Sequence, residues 1–142
     1  MKNAFNTAFI DTALFIYLLE AHPNFADPTE RFLTNCYARQ VRLVTSVITH
    51  LEFSVKPYKE GRLDVIDDFR ALLRDAAFVV ASVSLPDCDV AARLRATYEG
   101  LKAFDALQIA VAIKEGCEVF VCHDKRLKNV NALNIMTLDD VA

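Results

Sequence analysis

The sequence predicts an α/β fold in which a central parallel sheet is covered by helices on both faces. Short β-rich apolar runs alternate along the chain with longer segments of helical periodicity, as strands joined by crossover helices do. The run EVFVC is apolar after its first residue, the pattern of a strand buried on both faces. At 142 residues, 54% hydrophobic, with ten Phe against three Gly, the chain suits one domain, 1–142, with one sizeable core.

Taken in order, residues 8–10 form a first strand, and 12–19 continue as a helix that Pro23 ends. A second helix is expected over 29–39. Residues 42–45 read as a strand, after which Ser46 or Thr45 caps a helix that runs to about Val55 and stops before Pro57. A further helix covers 63–73, and a β-rich run follows at 77–83. Residues 87–98 and 104–115 are helical, with Gly116 as C-terminal cap of the second. Strands are expected at 118–122 and 134–137.

The formal net charge of -3 gives no whole-protein basic field, so a nucleic-acid partner needs a local patch or a metal. Cys36, Cys88, Cys117 and Cys122 form no CxxC pair, and His22, His50 and His123 lack zinc-ligand spacing to them. They read as buried or incidental thiols of a reducing cytosol. Lys2 precedes the first apolar run, but Asp11 interrupts it and no small-residue cleavage site follows. No segment reaches the roughly twenty uninterrupted apolar residues of a membrane span. The expectation is a soluble cytoplasmic protein with no membrane partner.

In an open parallel sheet the functional crevice lies outside the carboxyl ends of the strands. Asp11 ends the first strand, Asp124 follows EVFVC in the same relation, and Asp105 opens a helix that starts at that edge. Ile48, Glu52 and Val55 recur at i, i+4 and i+7, which places Glu52 on an apolar face, one turn after Thr49. Each acid also has a structural explanation: Asp105 as a helix N-cap, Asp11 and Asp124 as caps or turns, Glu52 reaching to solvent. Together, four carboxylates without a paired base would repel and raise one another's pKa values, which divalent cations would relieve. Oxygen ligands without Cys or clustered His select Mg²⁺ or Mn²⁺ over zinc.

These motifs carry a family resemblance. FIDTALFIYLL resembles the opening of a PIN domain, SVITHLEF its second acidic motif, FDALQIAVAIKEG its third and VFVCHDKRL its fourth, in order across essentially the whole chain. The size is similar to that of the toxin of VapBC-type toxin–antitoxin systems. The resemblance implies a three-layer α/β/α PIN-like fold and Asp11, Glu52, Asp105 and Asp124 as metal-binding, catalytic acids. It further implies a metal-dependent endoribonuclease acting on RNA, a small antitoxin partner and a homodimer. In the fourth motif Cys122 and His123 stand where the family commonly has a hydroxyl residue and then Asn or another polar residue; His123 is read as a solvated surface histidine. Lys102, Lys125, Arg126 and Lys128 are the candidate contacts to the RNA backbone, against their reading as a solvated basic face. Two other classes compete: a catalytically silent PIN-fold interaction module, and a HAD-like phosphatase, which would need a second Asp where Ala13 stands.

Overall fold

The structure, a computed structural model, describes residues 4–141; Lys2 and the two ends of the expected 1–142 domain lie outside the described residues. The order of elements is β1 (Thr7–Ile10), α1 (Thr12–Leu19), α2 (Ala26–Ala38), β2 (Arg42–Ser46), α3 (Val47–Lys59), α4 (Leu63–Asp75) and β3 (Val79–Ala81). There follow α5 (Leu85–Thr97), α6 (Ala103–Lys114), β4 (Val119–Cys122), a 3-10 turn (Lys125–Asn129), β5 (Asn134–Thr137) and α7 (Leu138–Val141). The five strands form one parallel sheet in the order β3-β2-β1-β4-β5.

Alternate residues of each strand supply the two faces, as the period of two requires. Phe9, Val44, Phe120 and Cys122 pack with Ala106, Ile109 and Ala110 of α6 and with α5. Ala8, Ile10, Leu43, Val119 and Val121 face the other way, onto Leu14 and Phe15 of α1, Phe53 of α3 and Phe69 of α4. The result is the expected α/β/α sandwich. Phe9 and Phe120, neighbours across β1 and β4, stack with centroids 5.1 Å apart and planes within 4°. Strand order reverses at β1: the chain steps outward through β2 and β3, then returns to β4 on its other side. Ligands of such sheets bind at the carboxyl ends of the strands flanking that reversal.

Several boundaries differ from expectation, each for a local reason. Ser46, not Thr45, caps α3, accepting from the Ile48 amide at 3.1 Å. The helix then passes through Pro57 to Lys59. Proline in the last turn removes only the hydrogen bond to the Phe53 carbonyl, while its own carbonyl still accepts from Arg62 at 2.8 Å. α5 starts at Leu85, two residues early, because Ser84 and Asp87 make a reciprocal capping box. β3 is shorter than 77–83, since Ala77 has a φ of 55, which a strand does not accommodate. Gly116 does cap α6: with φ 69 it lets Cys117 N reach Ala112 O at 3.0 Å.

Candidate active site

Asp11 is the N-cap of α1, tied to the end of β4 by its amide, which donates to Val121 O at 3.0 Å. Its Oδ1 accepts from Thr12 N at 2.9 Å and from Gln108 Nε2 at 3.3 Å. Burial outweighs these bonds, and Asp105 and Glu52 add repulsion, so the carboxyl is pushed up to about 7. Asp105 is the third residue of α6, not its N-cap; Lys102 is the N-cap. Burial, then Glu52 and Asp124, raise Asp105, with Lys102 and Arg126 opposing. Among the described residues its carboxylate takes no side-chain hydrogen bond.

Glu52 is exposed, and the apolar face expected for it, with Ile48 and Val55, is not the buried side of α3. The buried side of α3 is Thr49, Phe53 and Pro57, selected because Phe53 stacks on Phe69 at 4.3 Å. Glu52 therefore projects from the edge of the helix toward α1, where its Oε1 accepts from Thr12 Oγ1 at 2.7 Å.

A buried polar network orients this group. Ile10 O can only accept, so Thr45 donates to it at 2.9 Å, and Thr49 must then donate to Thr45 at 2.8 Å. Gln108 donates to Thr49 Oγ1 at 2.7 Å as well as to Asp11, and its Oε1 accepts from Ser46 Oγ. Thr45, Ser46, Thr49 and Gln108 are all buried, and each is satisfied. Thr12 and Gln108 were not singled out in the sequence. The available signal was a glutamine one turn after Asp105 in an otherwise apolar helix, where a buried amide needs partners.

Asp124 follows β4 and caps the 3-10 turn, Oδ1 accepting from Arg126 N at 2.9 Å. The Arg126 side chain grips the same carboxylate, Nη2 to Oδ2 at 2.9 Å, and holds it below the usual carboxylate range. Asp124 and Asp105 share with Lys102 and Arg126 a cleft of about 480 Å³ that also reaches Tyr98 and Asn129. Lys125 and Lys128 turn elsewhere, pairing with Asp139 at 3.5 Å and Asp140 at 2.7 Å. Cys122 is buried, its thiol pushed up to about 12, and His123 is exposed. Cys36 and Cys117 are also buried, Cys88 is exposed, and all four cysteines are free.

Asp11, Glu52 and Asp105 thus lie within one another's fields, and Asp105 within that of Asp124. Among the described residues, however, no three acidic, His or Cys side chains close into a metal cage. The donor set still fits a hard cation: all ligand atoms are oxygen, and Asp11, raised by burial and like charge, has no cationic partner among the described residues. Arg126 grips Asp124 directly and lends Asp105 only a through-space share of its charge.

The PIN domain family model matches residues 8–133. No curated protein sequence matches. Among solved structures, VapBC2 from Rickettsia felis, bound to a DNA fragment from its promoter, superimposes with a TM-score of 0.74 at 19% identity, covering 92% of this chain and 98% of that one. A toxin–antitoxin complex from Klebsiella pneumoniae gives 0.69 at 20%, covering 92% and 97%. VapC20 of Mycobacterium tuberculosis, a Sarcin-Ricin loop cleaving toxin, gives 0.71 at 16%, covering 87% and 95%. By the family model, which spans all four acids, the chain belongs to the PIN domain family.

Proposed function

We propose that this chain is, as a single domain, a metal-dependent endoribonuclease that hydrolyses RNA phosphodiesters with water as nucleophile, and is the toxin of a toxin–antitoxin pair. The observation that carries the reading is the gathering of acids from four elements at the carboxyl edge of the sheet: Asp11 and Glu52 are joined through Thr12, and Asp105 shares a cleft with Asp124. Asp11, Glu52, Asp105 and Asp124 would hold Mg²⁺ or Mn²⁺. A bound ion of this kind lowers the pKa of a water and offsets charge on the phosphate. The chain's own part is positional. Thr12 and Gln108 fix the Asp11 carboxylate, Thr12 also fixes Glu52, and Asp105 faces the cleft unbonded. Lys102 and Arg126 offer charge to the RNA backbone; attack by water leaves a 5′-phosphate and a 3′-hydroxyl.

Similarity to VapC20 and to the toxin–antitoxin complexes supports RNA as substrate and a small antitoxin as partner. Val47, Leu51, Val55 and Tyr58 make an exposed apolar stripe on α3, which supports a homodimer. Among the described residues no helix is long and apolar enough to cross a membrane, in keeping with a cytoplasmic site of action. The test is cleavage of mixed RNA with Mn²⁺ and with chelator. Wild type is expected to cut only with metal, and Asp105→Asn to lose roughly a hundredfold or more. The Asp124–Arg126 pair favours one other reading, a silent PIN-fold interaction module; intact RNA at millimolar Mn²⁺ would select it.

A further inference from the structure

Four rings beside Asp124 have no part in the chemistry above. Tyr17 of α1, His22 and Phe25 of the α1–α2 connection, and His123 form one cluster: Tyr17 lies 4.8 Å from Phe25 and 5.2 Å from His22, centroid to centroid. Side chains on a helix lean toward its N-terminus, so Tyr17 reaches back to the carboxyl edge of the sheet, where its hydroxyl meets His123 Nδ1. The members are not equivalent. His22 is used locally: its Nδ1 accepts from the amides of Asn24 at 3.1 Å and Phe25 at 3.2 Å, and its ring stacks on Phe25 at 4.7 Å. His123 is exposed, and its Nδ1 is bonded to the Tyr17 hydroxyl. Its contacts with Tyr17 and Phe25 are steeply inclined, at 77° and 65°, so neither of those rings lies parallel on it.

The position gives this ring a use. His123 adjoins Asp124, with about 3.8 Å between successive Cα atoms. The cluster belongs to the α1–α2 layer, whereas the cleft with Lys102, Asp105 and Arg126 opens on the α5–α6 side. Asp124 stands between the two. A strand whose phosphate lies at the acids can place the neighbouring base on the His123 side. Every base has a face that stacks on an aromatic ring, but only an unpaired base can present it.

We propose that His123, held at Nδ1 by Tyr17 and flanked by Phe25, is a stacking platform for an unpaired base next to the phosphodiester at the acids. The inference rests on the nuclease reading. A protein partner seated on the same rings would be a different function, and the experiment separates it.

The experiment measures binding of a mixed-sequence single-stranded RNA decamer carrying one 2-aminopurine, with the probe base placed at successive positions. The protein is Asp105→Asn, so that cleavage does not intervene, alone or combined with His123→Ala or His123→Phe; each fold is checked by circular dichroism. Expected are quenching of the probe at one or two positions, a roughly tenfold loss of affinity in His123→Ala, and recovery to within about twofold in His123→Phe. Phenylalanine keeps the ring face and loses the bond to Tyr17, so a merely structural role would fail in both variants. Affinity unchanged in folded His123→Ala overturns the proposal and leaves the rings to a protein partner; so does an equal loss for duplex RNA. Wild-type cleavage is scored separately. Cutting by wild type with unaltered binding by His123→Ala sinks the platform alone, whereas stacking without any metal-dependent cutting sinks the nuclease reading alone.

Discussion

Gln108 Nε2 lies 2.7 Å from Thr49 Oγ1 and 3.3 Å from Asp11 Oδ1, so one buried amide of α6 joins α3 to the acid at the end of β1. Replacing it tests whether the acids are held by design of the core. Gln108→Leu would leave Thr49, Ser46 and Asp11 each short of a partner. Unsatisfied buried groups cost about 1–3 kcal/mol. Chemical denaturation at pH 7 should show a loss of at least that order, together with weaker Mn²⁺ binding. A loss under about 0.5 kcal/mol would mean that water replaces the amide without cost.

Asp11 makes stability depend on pH in a stated direction. Its folded pKa, about 7, lies above the ordinary 3.8, so between these values the folded chain holds a proton that the unfolded chain has released. Stability then falls as pH rises through that window, and is constant above it. Asp105 is raised too and acts with the same sign. In chelator at pH 8, Asp11→Asn should therefore be more stable than wild type by up to a few kcal/mol, the gain shrinking toward pH 4. Thermal unfolding across pH 4–8 measures it; a variant less stable at pH 8 would show that its hydrogen bonds outweigh the burial of charge.

Arg126 and a cation compete for Asp124. Arg126→Ala should return the Asp124 carboxyl toward its ordinary pKa and strengthen Mn²⁺ binding, while weakening RNA binding and lowering the salt slope by roughly 0.7. Calorimetry and RNA binding at several salt concentrations give both numbers. A fall in Mn²⁺ affinity would contradict the competition.

Of the candidate backbone contacts, Lys102 and Arg126 line the cleft, whereas Lys125 and Lys128 are paired to Asp139 and Asp140. Lys102→Ala with Arg126→Ala should thus reduce RNA affinity more than Lys125→Ala with Lys128→Ala. Equal losses would put the RNA path across α7 as well.

How much of this was legible in the sequence follows from the range of each signal. Asp11 and Asp124 could be read because one directly follows a buried strand and the other comes two residues after one, and Gly116 because a left-handed cap favours glycine. The buried face of α3 could not: Val47, Leu51, Val55 and Tyr58 are as regularly spaced as Thr49, Phe53 and Pro57, and tertiary partners such as the Phe69 ring of α4 and Gln108 of α6 select between them. The partners of Gln108 come from β1, β2 and α3, so its network exists only after the chain has closed. His123 reads in isolation as a solvated side chain. It is exposed, but Tyr17 and Phe25, about a hundred residues earlier, hold its ring.

The central claim is that the acids where β1 and β4 end form a divalent cation site. Mn²⁺ titration calorimetry on wild type, Asp105→Asn and Asp139→Asn tests it most directly, since Asp139 is an acid on α7 paired with Lys125 outside the cleft. Expected is saturable binding by wild type and Asp139→Asn with similar affinity, and a loss of roughly tenfold or more in Asp105→Asn. No binding by wild type at millimolar Mn²⁺, or equal losses in Asp139→Asn and Asp105→Asn, would contradict it.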